Sequence, residues 1–199
     1  MDNPSNLSNT LPSNLTIPRQ FLRNLLAGKG YTEIEYLRAE TERGYRTQCA
    51  KILSCLLGVS MATIRHDWMG SLDLESIPHH QLLALTYIEA ANITSIYSRQ
   101  IIEGKYRPQS ISAQQFLEYA LCINELDIEG IKARYSNNAF YGECVQILST
   151  TIGVEPHTVI LWGKDIRFQK MPTKNGIILY YARCAVEAGR QQSNMLVAA

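Results

Sequence analysis

The sequence lacks any strong charge of one sign. Lys and Arg number 19 against 18 Asp and Glu, a net charge of +1, which excludes a polybasic coat over the whole surface but leaves room for a local basic face. Charged residues reach only 19%, below the roughly 25% usual for soluble domains. Much of the polar surface therefore falls to Ser, Asn, Gln and Tyr, or is covered by a partner. No apolar run approaches the ~20 residues that a membrane span needs. The opening MDNPSNLSNTLPSN has neither a basic n-region nor an apolar centre, so no secretory signal is visible. A cytoplasmic protein without membrane contact is the expectation.

Constellations that announce catalysis are missing too. The five cysteines, Cys49, Cys55, Cys122, Cys144 and Cys184, contain no CxxC pair, so zinc-ribbon and thioredoxin readings have no support. They read as small buried hydrophobes. Gly28-Lys29-Gly30 has neither the spacing nor the following Ser or Thr of a phosphate loop. His79 and His80 are adjacent, hence on different helix faces, and read as a solvated helix start rather than a metal pair. No Ser/His/Asp, Cys/His or paired-carboxylate set can be assembled. A non-enzymatic protein with no metal and no small-molecule cofactor is expected.

What the chain does contain is a repeat. Displaced by 95 residues, Gln20-Phe21-Leu22 falls on Gln115-Phe116-Leu117, Cys49 on Cys144, Ile52-Leu53-Ser54 on Ile147-Leu148-Ser149, Gly58-Val59 on Gly153-Val154 and Thr63 on Thr158. One residue is then lost, and at a displacement of 94 Trp68 meets Trp162, Pro78 meets Pro172, Leu85 meets Leu179 and Tyr87 meets Tyr181. Seven identities lie among the sixteen positions from Cys49 to Ile64, where chance supplies about one.

Each unit reads as helical, since alternating β-branched runs bounded by tight turns are absent. Pro18 and Pro78 suit the first position of a helix, and Ser112 can cap the helix carrying Phe116 and Leu117. Residues 78–102 are long enough for one extended helix or for two joined near Asn92. The fold class that follows is all-α, a tandem duplication of a domain of about five helices. Repeat 1 spans 18–106 and repeat 2 spans 110–190, close enough to touch across the short GKYRPQS connection. Residues 1–17, rich in Asn, Ser and Pro, read as a disordered arm, and 191–199 as a loose tail. Glu33, Glu35, Glu40 and Glu42, with Arg38 and Arg43 between them, read as a solvated helix face. The 11 tyrosines favour interfaces, although most suit the edge of a core.

The best-matched block in each unit is a helix, a glycine turn and a second helix: QCAKILSCLLGVSMATIRHDW at 48–68 and ECVQILSTTIGVEPHTVILWG at 143–163. Gly58 can take the positive φ of a sharp turn, and Ser60 or Glu155 starts the next helix. Ile64 and Val159 then bury against Ile52, Leu53 and their counterparts, setting the crossing angle. The block resembles the helix-turn-helix of bacterial repressor-type regulators, in which an L-G-V-S turn precedes x-x-T-[IV]. The resemblance implies that the second helix enters the major groove of double-stranded DNA and offers its first exposed side chains to base edges.

The two copies depart from that pattern in different ways. The family carries an apolar residue three positions after the Ile or Val, as Trp162 does, whereas repeat 1 has Asp67 there and Trp68 one step later. Its second helix is therefore expected to be turned, or one residue longer. The second helix of repeat 2 offers little to a base or phosphate. Repeat 1 offers Ser60, Met61, Thr63, Arg65 and His66, with Arg46 and Lys51 on the preceding helix for backbone phosphates. Residues 18–70 hold eight basic and five acidic side chains, and 112–172 hold five and seven. The expectation is a DNA-binding transcriptional regulator that uses repeat 1, while repeat 2 contacts a protein partner or makes a homodimer through His157, Ile160, Leu161 and Trp162. The alternative is a helical adaptor that binds protein and no DNA.

Overall fold

Some helices begin in this chain where the sequence supplies a side-chain cap. Thr32 and Glu35 form a reciprocal capping box at the start of α2 (Glu33–Thr41), and Ser112 and Gln115 form another at α8 (Ala113–Ala120). Such boxes satisfy two of the amides that every helix start leaves without partners. Pro18 opens α1 (Pro18–Leu26) and Pro156 opens α11 (Pro156–Ile160). Pro78, by contrast, is the residue just before α5 (His79–Ala90).

The computed structural model describes residues 11–12, 14–27, 30–123, 128–135 and 138–197. Among these the chain is all-α, with no strand. The remaining helices are α3 (Tyr45–Leu57), α4 (Met61–Thr63), α6 (Ile93–Ile96), α7 (Ser98–Ile102), α9 (Ile128–Tyr135), α10 (Asn138–Ile152) and α12 (Thr173–Val197). A π-helical turn, π1 (Ile64–Trp68), continues α4. The elements fall into two successive sets of like order, α1 to α7 and α8 to α12. No described helix is long and apolar enough to cross a membrane.

The two sets differ where one residue permits a break. At Asn92 the backbone turns left-handed, with φ 55°, a conformation Asn tolerates better than most side chains. The chain then folds back through α6 and α7 onto α3, with the Gln48 amide donating to the Ile102 carbonyl at 2.6 Å. The position 94 residues later is Val186, buried in the middle of α12. A β-branched residue resists the left-handed region, and there the helix runs on.

One apolar core runs through both halves, so the segments 18–106 and 110–190 do not enclose separate cores. Helix α5 packs along α12, α12 also meets α3, and α5 also meets α10. Hydroxyls tie these contacts: Tyr87 donates to the Thr151 carbonyl at 2.9 Å and Tyr181 to the Leu56 carbonyl at 2.8 Å.

Three expectations at the edges change. Of the arm expected over 1–17, residues 1–10 and 13 lie outside the described residues. Its end is anchored, with the Thr16 amide donating to Thr86 Oγ1 at 3.0 Å and the Thr16 hydroxyl to Glu89 at 2.5 Å. The tail expected from 191 is helical to Val197, because no proline or glycine after Arg190 stops α12; Ala198 and Ala199 lie outside the described residues. The acidic run is not wholly solvated. Glu40 turns inward and receives Arg19 at 2.6 Å and Arg23 at 2.7 Å, while Arg23 also reaches Glu33 at 3.0 Å. The pairs join α2 to α1 instead of running along α2 to Arg38 or Arg43.

Candidate functional site

Each half contains a helical corner, and its local chemistry is close to expectation. Helix α3 ends at Leu57 and Gly58 takes φ 65°; Gly153 does the same at φ 73°. Ser60 caps α4 by accepting from the Thr63 amide at 3.1 Å. Glu155 stands in the equivalent place without a side-chain cap bond. Ile64 and Val159 are wholly buried, as are Ile52, Leu53 and Leu148.

The glycines have a second reason to be glycine. A Cβ on Gly58 would come within 2.7 Å of Ile177 Cδ1, and one on Gly153 within 2.5 Å of Leu83 Cδ1. Leu83 and Ile177 are themselves 94 residues apart. Each corner is thus crossed at its turn by a helix of the other half, α12 at Gly58 and α5 at Gly153, and the contacts are reciprocal.

The extra residue in the first corner is absorbed by π1. The Met69 amide reaches back five residues to the Ile64 carbonyl at 3.0 Å, which accommodates one residue more than an α turn. Trp68 and Trp162 consequently end at matching depth, 6% and 7% exposed. Asp67 is the residue lifted outward, exposed between His66 and Trp68.

The expected contact residues separate into structural and available ones. Ser60 and Thr63 share a hydrogen bond between their hydroxyls at 2.9 Å, so their polar atoms serve the cap. Met61 is half-buried against the core. Lys51 lies under the returning segment, where its methylenes pack against Gly104; this takes it away from the turn helix. Trp162 is buried and is a packing anchor rather than a partner-facing side chain. Arg46 is exposed on the first turn of α3, and Arg65 and His66 are exposed on π1. In the second corner His157, Ile160 and Leu161 are exposed.

The register shows what distinguishes the corners. Arg65 and His66 stand 95 residues before Ile160 and Leu161, ahead of the extra residue, so the pairs occupy equivalent places. Both places face solvent, and Ile160 and Leu161 are 49% and 62% exposed. One corner offers a guanidinium and an imidazole where the other offers two aliphatic chains. The repeat register alone was sufficient to align these pairs. The tyrosine bonds and the inward turn of Glu40 had no comparable signal.

Among the described residues the other titratable groups do not gather into a reactive site. Burial pushes the Cys49 and Cys144 thiols up to about 12, which keeps them protonated and poor as nucleophiles or ligands. His80 is half-buried near Lys174, and its imidazole is shifted below the ordinary range, by burial first. That replaces the solvated helix start expected of it. Gly28 and Lys29 lie outside the described residues. Among the described residues no three His, Cys, Asp or Glu side chains form a metal-ligating group. Compared with known proteins, the chain matches no family model, and neither a curated protein nor a solved structure gives a significant match.

Proposed function

We propose that this chain is a duplicated helical unit acting as a non-enzymatic DNA-binding regulator, with the first corner meeting double-stranded DNA and the second meeting protein. The observation that carries the proposal is the exposed Arg65-His66 pair on the turn helix, set against Ile160-Leu161 in the equivalent place. Ile64 and Trp68 lock the inner side of that helix, so its outer side is presented in a fixed orientation. Arginine is the commonest bidentate reader of guanine, and histidine adds a further donor. Arg46, exposed on the first turn of α3, is a further candidate for phosphate contact.

Fluorescence anisotropy on random-sequence duplexes at about 50 and about 200 mM salt tests the proposal, since phosphate contacts make affinity fall steeply with salt. Arg65→Ala is expected to weaken binding by about 1–3 kcal/mol where Arg65 reads a base. Arg65→Ile with His66→Leu, which copies the second corner into the first, is expected to abolish it. Wild-type protein that does not bind duplex at the lower salt overturns the DNA reading.

The second reading, an adaptor without DNA contact, is favoured by the exposed aliphatic pair of the second corner. Exposed apolar residues on a packed scaffold commonly mark protein contacts. Under that reading Arg65→Ala is neutral and Leu161→Asp abolishes partner capture while the fold remains intact.

A further inference from the structure

The seam between the two halves holds an imidazole with no partner for a charge. His80 lies on the first turn of α5, the helix that packs along α12, and it is half-buried there. At the displacement of 94 that aligns the halves, its counterpart on the first turn of α12 is Lys174. The residues that follow them, Gln81 and Asn175, are only 3% and 4% exposed. The seam therefore closes directly behind His80 and Lys174.

Charge around His80 is of one sign. Lys174 on α12 and His79 on α5 act on the ring, and no carboxylate does. The other helices packed against α5, namely α1, α6 and α10, bring no charged group to it. The ring makes no hydrogen bond or ion pair among the described residues. No acidic side chain stands in the first turn of α5, and Pro78 supplies no side-chain cap. The positive end of the helix dipole is therefore unopposed there as well.

The same turn is tied to the corners. A Cβ on Gly153 would come within 2.8 Å of His79 Cδ2. Leu83 and Ile177, three residues beyond His80 and Lys174, are the side chains that cross the two glycine turns. A change in the seam at this level reaches both corners.

We propose that the seam is a pH-sensitive junction, closed while His80 is neutral and parted at the first turns of α5 and α12 once His80 takes a proton. A half-buried imidazolium loses hydration and meets a lysine, a second imidazole and a helix N-terminus, all unfavourable to it. Burial first, then Lys174, then His79 hold the ring below its ordinary 6.5. The unfolded chain thus binds this proton more readily than the folded one. The stabilisation is complete above that ordinary value and is lost as pH falls from it through the folded-state value. Glu40 titrates lower, from 4.5 toward about 2, so the two effects occupy separate windows. The junction does not depend on what the corners bind.

Three measurements on the full chain test the junction. The ring C–H signals of His80, assigned through its own backbone, are expected to titrate below 6.5 in the wild type. The urea midpoint of the wild type is expected to fall between about pH 7.5 and about pH 5.5, and that of His80→Gln to fall less. Lys174→Glu, which makes the facing charge negative, is expected to shrink the loss with His80 still in place. Hydrogen exchange, corrected for the intrinsic effect of pH, is expected to rise over 78–90 and 173–186 at the lower pH while α2 and α8 keep theirs. His80 titrating at or above 6.5, or a His80→Gln midpoint that falls as far as the wild type's, overturns the proposal. So does the full loss in Lys174→Glu, or exchange in the wild type that rises evenly along the chain or not at all.

Discussion

Tyr181 donates its hydroxyl to the carbonyl of Leu56 at 2.8 Å across the two halves, capping the last turn of a helix 125 positions earlier. Tyr87 does the same for Thr151 at 2.9 Å. Carbonyls in a final helical turn have no partner within the helix, and both tyrosines are almost fully buried. Burial holds both phenols above their ordinary range, so they remain donors at any physiological pH. Replacing either by Phe leaves a buried carbonyl unpaired and is expected to cost about 1–3 kcal/mol in urea unfolding. A loss below about 0.5 kcal/mol in either variant would show that water replaces the phenol.

Gly58 is held by conformation first and by contact second. At φ 65° a side chain costs about 1–2 kcal/mol, and Ile177 Cδ1 can swing away from an added Cβ because it is the free end of its side chain. Gly58→Ala should therefore destabilise by about that amount, and Gly58→Asn by less, since Asn tolerates the left-handed region. Gly58→Ala with Ile177→Val should recover only a small part. Full recovery in the double variant would reverse the order of the two causes.

Glu40 links stability to acid. Hydrogen bonding to Arg19, then to Arg23, holds its carboxyl at about 2, well below the ordinary value of 4.5. A depressed folded-state value stabilises the protein above the unfolded value, and that stabilisation is lost as pH falls from about 4.5 toward 2. Glu40→Gln is expected to lower stability at pH 7 by on the order of 2–3 kcal/mol. The difference from wild type should shrink through that acid window, and one that did not change with pH would sever the link to Glu40 ionisation.

Deleting Asp67 should convert π1 into an α-helical turn like that of the second corner. The deletion removes the one residue by which the corners differ in length, so Trp68 keeps its buried place. Stability is expected to change by less than about 1 kcal/mol, since a π turn is a local insertion within an α-helix. Tryptophan emission shifted to the red would show that Trp68 had instead left the core.

The corners were legible in the sequence because their causes are local. Gly58 and Gly153 end a helix, Ser60 caps the next, and Ile64 and Val159 fall at the spacing that turns them inward. The all-α class followed from patterns of the same short range, whereas over residues 78–102 those patterns left one extended helix and two helices joined near Asn92 equally open. The one-residue change of register was equally visible at Asp67, but a π turn and a rotated or longer helix all satisfy that register. The bond from the Met69 amide back to the Ile64 carbonyl and the depth of Trp68 separate them.

Sequence by itself determined the helices, the two glycine turns, and the chemical difference between Arg65-His66 and Ile160-Leu161. Tertiary structure decided which of these residues are available. It placed Lys51 beneath the returning segment and Trp162 in the core, and it left Ile34 and Leu37 in solvent. Helical periodicity shows which side chains share a face, whereas exposure depends on what crosses that face from a distant part of the chain. Helices α5 and α12 cross the two glycine turns from 70 and 119 residues away, Leu83 at Gly153 and Ile177 at Gly58, and joining segments so distant is governed by the packing of the whole core rather than by any local propensity.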